Sequence, residues 1–319
     1  MSRSISFVIP AFNEEESVET LHGEIVSICE ENGFEFEVIF VDDGSTDRTW
    51  DTLKGLASAD ERTQAIRFRR NFGKAAALRA ATQEATFPLV VTLDADLQDD
   101  PSEVPRMLEE LDKGFDVVSG WKKVRNDPVG KTLPSKVFNW LVSFLTGVKL
   151  QDHNCGFKVY RREVFDEVKL YGERHRFVPV LAAAKGFRIS QVPVNHRARK
   201  FGKSKYGWRR LPKGFLDLLT VSFLTGFNQR PQHVLGFAGL VSFLAGATGM
   251  TWMAIYWMLR MFFFGDWEPL HRRPVVLYSL GGLLLGSQLL CMGFLAELIV
   301  AQNAQRTDPY SISERASDD

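Results

Sequence analysis

Short apolar runs alternate with amphipathic segments along the N-terminal half of the chain. The runs are typical of buried strands and lie at 5–10, 36–41, 64–68, 89–93 and 116–120. The segments between them have helical periodicity and lie at about 16–31, 47–58, 73–85 and 102–113. Strands that alternate with helices at this spacing predict an α/β domain with a mostly parallel sheet covered by helices on both faces.

The pattern changes after Pro231, where two long apolar stretches follow each other. They cover about 234–262 and 274–300, and each exceeds the roughly 20 residues that a helix needs to cross a bilayer. Two buried core helices are the alternative, which the lack of polar faces disfavours. The sequence therefore predicts two transmembrane helices within 231–301.

Charge is distributed unevenly, although its sum is zero. Lys+Arg and Asp+Glu both number 39, so net charge favours no class of partner, and no nucleic-acid partner is expected. The window from Arg174 to Leu216 nevertheless holds twelve Lys or Arg and no acid. This basic excess ahead of the first span predicts a cytoplasmic N-terminal domain, and two spans return the tail to the same side. The 3 cysteines lie in unrelated contexts and form no recognisable framework, which fits a reducing compartment.

Two carboxylates follow the strand predicted at 89–93. Asp94 and Asp96 leave its carboxyl end, where ligands bind in open α/β sheets, and Gln98 comes two residues later. Such oxygen ligands can bind Mg²⁺ or Mn²⁺ and leave coordination positions for substrate phosphates. An acidic helix start is the alternative, because two further acids and a proline follow.

The first two predicted strands also end in polar residues. The strand at 5–10 is followed by Phe12 and then by acidic residues. The strand at 36–41 is followed by Asp42 and Asp43 and then by a Gly-Ser turn. A carboxylate at a strand end can accept a hydrogen bond from a ribose hydroxyl, as in dinucleotide sites. Turn formation and helix capping are the alternative roles. Three polar strand ends at one sheet edge predict a nucleotide site.

Four motifs in this order resemble family-2 glycosyltransferases with the GT-A (nucleotide-diphosphosugar transferase) fold. They are VIPAFNEE at 8–15, VDDGSTD at 41–47, NFGK at 71–74 and LDADLQ at 93–98. Further similarity at 152–158, at 199–206 and in the paired spans resembles the dolichol-phosphate mannose synthase-like branch. Within it, the two-span form is most similar to bacterial polyprenyl-phosphate (bactoprenol) glucosyltransferases.

The resemblance implies an inverting enzyme that transfers a hexose to polyprenyl phosphate at the cytoplasmic face of the bacterial inner membrane. UDP-glucose is the favoured donor, and Mg²⁺ or Mn²⁺ is the implied cofactor. Contact with membrane lipid and a homo-oligomer, a tetramer or dimer, are also implied. The alternatives are a GDP-mannose-dependent polyprenyl- or dolichyl-phosphate mannose synthase, a processive polysaccharide synthase and a nucleotide-sensing membrane protein. The processive synthase is disfavoured because the chain lacks a Gln-x-x-Arg-Trp motif.

The resemblance also implies roles for individual residues. The residues implied to bind the nucleotide sugar are Pro10, Phe12, Glu14, Asp43, Lys74 and Asp94. The implied metal ligands are Asp94, Asp96 and Gln98, and the implied phosphate and acceptor contacts are Arg199, Lys203, Ser204 and Lys205. The implied catalytic set is Asp94, Asp96, Asp152, Arg199 and Lys205.

Two of these roles remain open between alternatives. A lipid phosphate is already an anion, so we interpret Asp152 as an orienting residue, whereas transfer to a hydroxyl would need it as a base. Lys203 is equally consistent with a catalytic phosphate contact and with attraction to anionic lipid.

Four segments are predicted along the chain. They are a cytoplasmic GT-A catalytic domain at 1–210, a juxtamembrane amphipathic helix at 211–230, the two spans within 231–301, and a cytoplasmic tail at 302–319. Two apolar helical faces, at 138–145 and 215–224, predict helices that lie in the membrane interface. Ordinary core packing is the alternative for both.

Overall fold

The structure, a computed structural model, describes residues 3–123, 129–168, 174–197, 216–218, 220–221, 231–264 and 267–304. The chain divides into two compact units, Met1–Thr225 and Gly226–Asp319. Most of the predicted juxtamembrane helix at 211–230 lies outside the described residues, and the four predicted segment boundaries stay predictions.

One mixed sheet forms the centre of the first unit. Its strands are β1 Ser4–Ala11, β2 Glu35–Asp42, β3 Thr63–Arg67, β4 Leu89–Thr92, β5 Val117–Lys122, β6 Lys158–Arg161 and β7 Ile189–Val194. They lie in the order β3-β2-β1-β4-β6-β5-β7, and within the described ranges only β6 runs antiparallel to its neighbours. The predicted mostly parallel sheet is therefore confirmed.

Helices cover both faces of this sheet. They are α1 Val18–Asn32, α2 Thr49–Ala59, α3 Lys74–Glu84, α4 Val104–Asp112, α5 Val129–Thr146, α6 Glu163–Glu167 and α7 Val178–Ala184. One buried cluster packs Phe7 and Phe40 against Leu21 of α1, and a second packs Val8 against Leu78 of α3. Neighbouring residues of β1 thus point to opposite cores, which explains why its sequence is continuously apolar.

The chain changes direction across the sheet between β1 and β4. From β1 it proceeds outward through β2 to β3, and it then returns to place β4 on the other side of β1. In open α/β sheets, ligands bind in the crevice beyond the carboxyl ends of the strands at such a switch point. This is the edge at which the sequence places its polar strand ends.

The second unit contains a pair of long apolar helices, α8 Pro231–Phe262 and α9 Pro274–Ala304. Within them, Gln232–Phe262 and Pro274–Ile299 are long and apolar enough to cross a membrane. Their backbones approach closely, since a methyl group added at Gly239 would lie 2.9 Å from the carbonyl oxygen of Gly286. Small residues are what allow membrane helices to pack at this distance.

Candidate active site

The carboxyl ends of β1, β2 and β4 meet at the switch point. The amide of Asp43, which follows β2, donates to the carbonyl of Ala11 at the end of β1 over 2.9 Å. Asp94 follows β4, and Lys74 begins α3 on the same side of the sheet. Of the predicted donor-binding residues, Pro10 lies at the end of β1. The others follow these strands or begin α3, and they are Phe12, Glu14, Asp43, Lys74 and Asp94.

Two residues at this edge adopt the left-handed backbone region without being glycine. Asn13, just after β1, has a φ of 54°, and Leu97, just after β4, has a φ of 59°; the described residues contain no other such case. Asn tolerates this region, but a buried Leu is strained there. The turn at Leu97 lets the amide of Gln98 donate to Oδ1 of Asp96 over 3.2 Å. Strain of this kind concentrates at functional sites.

Lys74 and Asp94 form an ion pair in the crevice. The Lys74 ammonium donates to Oδ1 of Asp94, and both side chains are a little over one quarter exposed. Burial alone would raise the pKa of Asp94, but the charge and hydrogen bond of Lys74 outweigh it and hold that pKa well below its usual range. Asp94 is therefore a carboxylate at neutral pH, and a cation is already directed at the site.

Asp43 fixes the loop that carries Lys74. Its two carboxylate oxygens accept from the amide of Phe72 at 2.7 Å and from the amide of Gly73 at 3.0 Å. Burial raises the pKa of Asp43, and the two amide hydrogen bonds oppose part of that rise. The described contacts give Asp43 a structural role, while its predicted contact with the donor stays a prediction.

His196 lies beside the predicted metal ligand Gln98, a contact that the sequence analysis did not find. Nε2 of His196 is 3.4 Å from the side-chain amide nitrogen of Gln98, and its Nδ1 is 4.0 Å from the buried carboxylate of Asp99. The Lys122 ammonium is 3.3 Å from the same carboxylate. At 4.0 Å the Asp99 carboxylate is too far from Nδ1 for a hydrogen bond, so Asp99 acts on the imidazole of His196 through its charge alone.

The side chains after β4 fit a divalent cation that arrives with a phosphate substrate. Asp94, Asp96 and Gln98 provide hard oxygen donors, which Mg²⁺ and Mn²⁺ prefer. The described residues contain no cluster of three or more His, Cys, Asp or Glu that could hold a metal ion. Mg²⁺ is usually held by one or two carboxylates together with substrate phosphates, so a complete protein cage is not required.

Asp152 lies on the loop that precedes β6. Its side chain is almost completely buried, and Oδ1 accepts from the amide of Asn154 over 3.1 Å. Burial alone would lower the pKa of Lys122, yet the carboxylates of Asp99, Asp94 and Asp152 raise it above its usual value. Lys122 therefore links Asp152 electrostatically to the end of β4.

Four predicted phosphate-contacting residues lie outside the described part of the chain. They are Arg199, Lys203, Ser204 and Lys205. The last described residue before them, Arg197, is held by Glu24 and Asp100, both at 2.7 Å, and its amide donates to the carbonyl of Gln98 over 2.9 Å. The motif at 199–206 thus follows in sequence soon after a residue that is anchored at the candidate site.

Known proteins similar to this chain include synthases and transferases named for polyprenyl phosphates and sugars. The sequence model described as Glycosyl transferase family 2 matches residues 6–169. Dodecaprenyl-phosphate galacturonate synthase of Rhizobium johnstonii is 37% identical over 325 aligned residues, which cover 100% of this chain and 94% of that protein. Undecaprenyl-phosphate 4-deoxy-4-formamido-L-arabinose transferase of Pectobacterium atrosepticum is 34% identical and covers 93% of this chain and 88% of its own length.

The solved structures support the fold. The glucosyl-3-phosphoglycerate synthase of Mycobacterium tuberculosis, crystallised with Mn²⁺, uridine diphosphate and phosphoglyceric acid, superposes with a TM-score of 0.56. It is 21% identical and covers 70% of this chain and 78% of its own, which is evidence for the GT-A fold alone. The family match and the full-length relatives agree with the predicted resemblance, and the chain belongs to the family 2 glycosyltransferases.

Proposed function

We propose that this glycosyltransferase moves a sugar from a nucleotide diphosphosugar to a polyprenyl phosphate. The observation that carries the proposal is that one chain contains both the Asp94–Lys74 crevice and two apolar helices long enough to cross a membrane. An acceptor with a long isoprenoid tail stays in the bilayer, so its enzyme must work at the membrane. The two relatives described above are named for polyprenyl-phosphate products and match this chain over nearly its whole length.

The crevice can stabilise a diphosphate leaving group. Asp94, Asp96 and Gln98 would hold a divalent cation, and that cation would stabilise the negative charge that grows on the diphosphate. Lys74 would contact the same phosphates, and the ion pair of its ammonium with Asp94 supports this role. Pro10 and Phe12, at the end of β1, would contact the nucleoside.

The acceptor side would be built from the basic window. Arg199 and Lys205 would contact phosphate, with Lys203 and Ser204 beside them. A phosphate acceptor is already anionic and needs positioning more than deprotonation, so Asp152 would orient the reacting groups. Its close burial and its hydrogen bond from Asn154 support a fixed orienting role.

An apolar helix face supports contact of the first unit with lipid. Val137, Trp140 and Phe144 of α5 are each more than half exposed, and the two aromatic rings stack with centroids 5.5 Å apart. The opposite face of α5 is buried through Val142. A helix with one packed face and one exposed aromatic face suits the membrane interface, which is the role predicted for it.

The donor is expected to be a UDP-sugar, with UDP-glucose favoured by the motif resemblance. In the test, undecaprenyl phosphate and one radiolabelled donor at a time are added to membranes that contain the protein. The panel is UDP-glucose, UDP-galacturonate, UDP-4-deoxy-4-formamido-L-arabinose and GDP-mannose. We expect one UDP-sugar to label an organic-extractable, acid-labile lipid. Labelling from GDP-mannose alone would favour a mannose synthase, and no labelled lipid from any donor would contradict the proposed acceptor.

The N-terminal unit is expected to lie in the cytoplasm, where nucleotide sugars are made. Basic residues ahead of α8 favour this orientation. A cysteine placed at Asp266, between the two long helices, should react with an impermeant maleimide from outside intact cells, whereas one at Ser58 should not. The exposed Cys291 is first replaced by Ser, while the buried Cys29 and Cys155 are kept. Labelling at Ser58 but not at Asp266 would reverse the orientation.

A further inference from the structure

Gly156 lies directly against the carboxylate of Asp94. A Cβ atom added at Gly156 would lie 2.7 Å from Oδ2 of Asp94 and 2.9 Å from its Cγ. Real Cβ atoms do not approach other heavy atoms this closely. The φ angle of Gly156 lies outside the left-handed region, so its backbone does not require glycine. The requirement is one of space, and it is set by the side chain of Asp94.

The backbone around Gly156 is fixed on both sides. The Thr92 hydroxyl donates to the carbonyl of Gly156 over 2.8 Å, and the buried Lys158 ammonium donates to the carbonyl of Cys155. Phe157 is fully buried, and its carbonyl accepts from the amide of Gly120 over 2.9 Å. A side chain at 156 therefore cannot be relieved by a small backbone shift, and Asp94 is the group that has to move.

The carboxylate of Asp94 is consequently held between two partners. Gly156 closes one side of it, and the Lys74 ammonium contacts Oδ1. Rotation away from a new methyl group at 156 would break the contact with Lys74 or turn the oxygens away from the phosphates. A displacement of about 1 Å in a positioned group can cost about 10²-fold in rate.

We propose that Gly156 is a positioning residue that sets the orientation of the Asp94 carboxylate toward the donor diphosphate. The proposal rests on the proposed function to the extent that Asp94 contacts the donor. It assigns the glycine of the loop before β6 to the donor site, although 62 positions of sequence separate it from Asp94.

The test is a double-substitution cycle between Gly156→Ala and Asp94→Ala. With Asp94 present, Gly156→Ala should lower kcat/KM for sugar transfer by 10- to 100-fold. It should also lower the unfolding midpoint in detergent by about 2–4 °C. In the Asp94→Ala background the methyl group has room, so adding Gly156→Ala should leave the midpoint and the residual transfer rate unchanged.

Gly55→Ala is the matched control, because nothing lies within 4 Å of a Cβ atom added at Gly55 on α2. It should leave kcat/KM unchanged. Wild-type kcat/KM in Gly156→Ala, or equal losses in both Asp94 backgrounds, would overturn the proposal. If the wild-type protein transfers no sugar, the proposed function fails, and the midpoint cycle alone then decides whether Gly156 acts through Asp94.

Discussion

Asp96→Asn is expected to abolish sugar transfer, and Asp94→Asn to reduce it to a trace, while both variants fold and insert into membranes. An amide has almost the same shape as a carboxylate but carries no charge, so it binds a divalent cation weakly. Losing one preorganised electrostatic contact to a transition state typically costs about 10²- to 10³-fold in kcat. Asp94→Asn also removes the anion that pairs with Lys74.

Initial transfer rates in membranes, with and without EDTA, provide the measurement. Asp51→Asn, on the exposed surface of α2, is the matched control and should retain the wild-type rate. Expression level and elution volume in detergent establish that the variants are folded. Full wild-type activity in saturating EDTA, or unchanged rates in both variants, would remove the metal role assigned to these carboxylates.

The core strands and the strand-end carboxylates could be predicted because their signals are local. The apolar run at 89–93 is buried on both faces, and the acids directly after it can lie only at the sheet edge. The antiparallel strand β6 and the edge strand β7 have no such signal. β6 has a lysine and an arginine at its ends, and β7 contains Ser190, Gln191 and Pro193 among its apolar residues. Their pairing depends on neighbours that are distant in sequence.

The missed parts of the site are contacts between segments far apart in the chain. His196 meets Gln98 only because β7 returns to the edge of the sheet, and Gly156 meets Asp94 only because β6 pairs with β4. For Asp43, the position at the end of a strand could be predicted, but its hydrogen bonds from the amides of residues 72 and 73 could not. A strand end predicts where a carboxylate lies, and tertiary packing decides which groups it contacts.

Arg199→Ala is expected to lower kcat about 10²-fold, the scale for losing one charge-assisted contact that forms mainly in the transition state. Lys203→Ala should cost less, and Arg199→Lys should restore only part of the rate. A guanidinium binds two phosphate oxygens through a planar fork, whereas an ammonium acts as a single point charge. This prediction rests on the motif at 199–206, which follows directly after the anchored Arg197.

A purely electrostatic role at the membrane surface makes different predictions for the same three variants. It requires equal losses for Arg199→Ala and Lys203→Ala, full rescue by Arg199→Lys, and weakening by added salt. Kinetics in neutral detergent separate the two roles, because no anionic bilayer remains there while the acceptor phosphate is still present. If Arg199 contacts phosphate, Arg199→Ala still lowers kcat in detergent. If Arg199 only attracts anionic lipid, the variant no longer lowers kcat there. Near-normal kcat of Arg199→Ala in detergent would therefore assign the basic window to lipid rather than to the reaction.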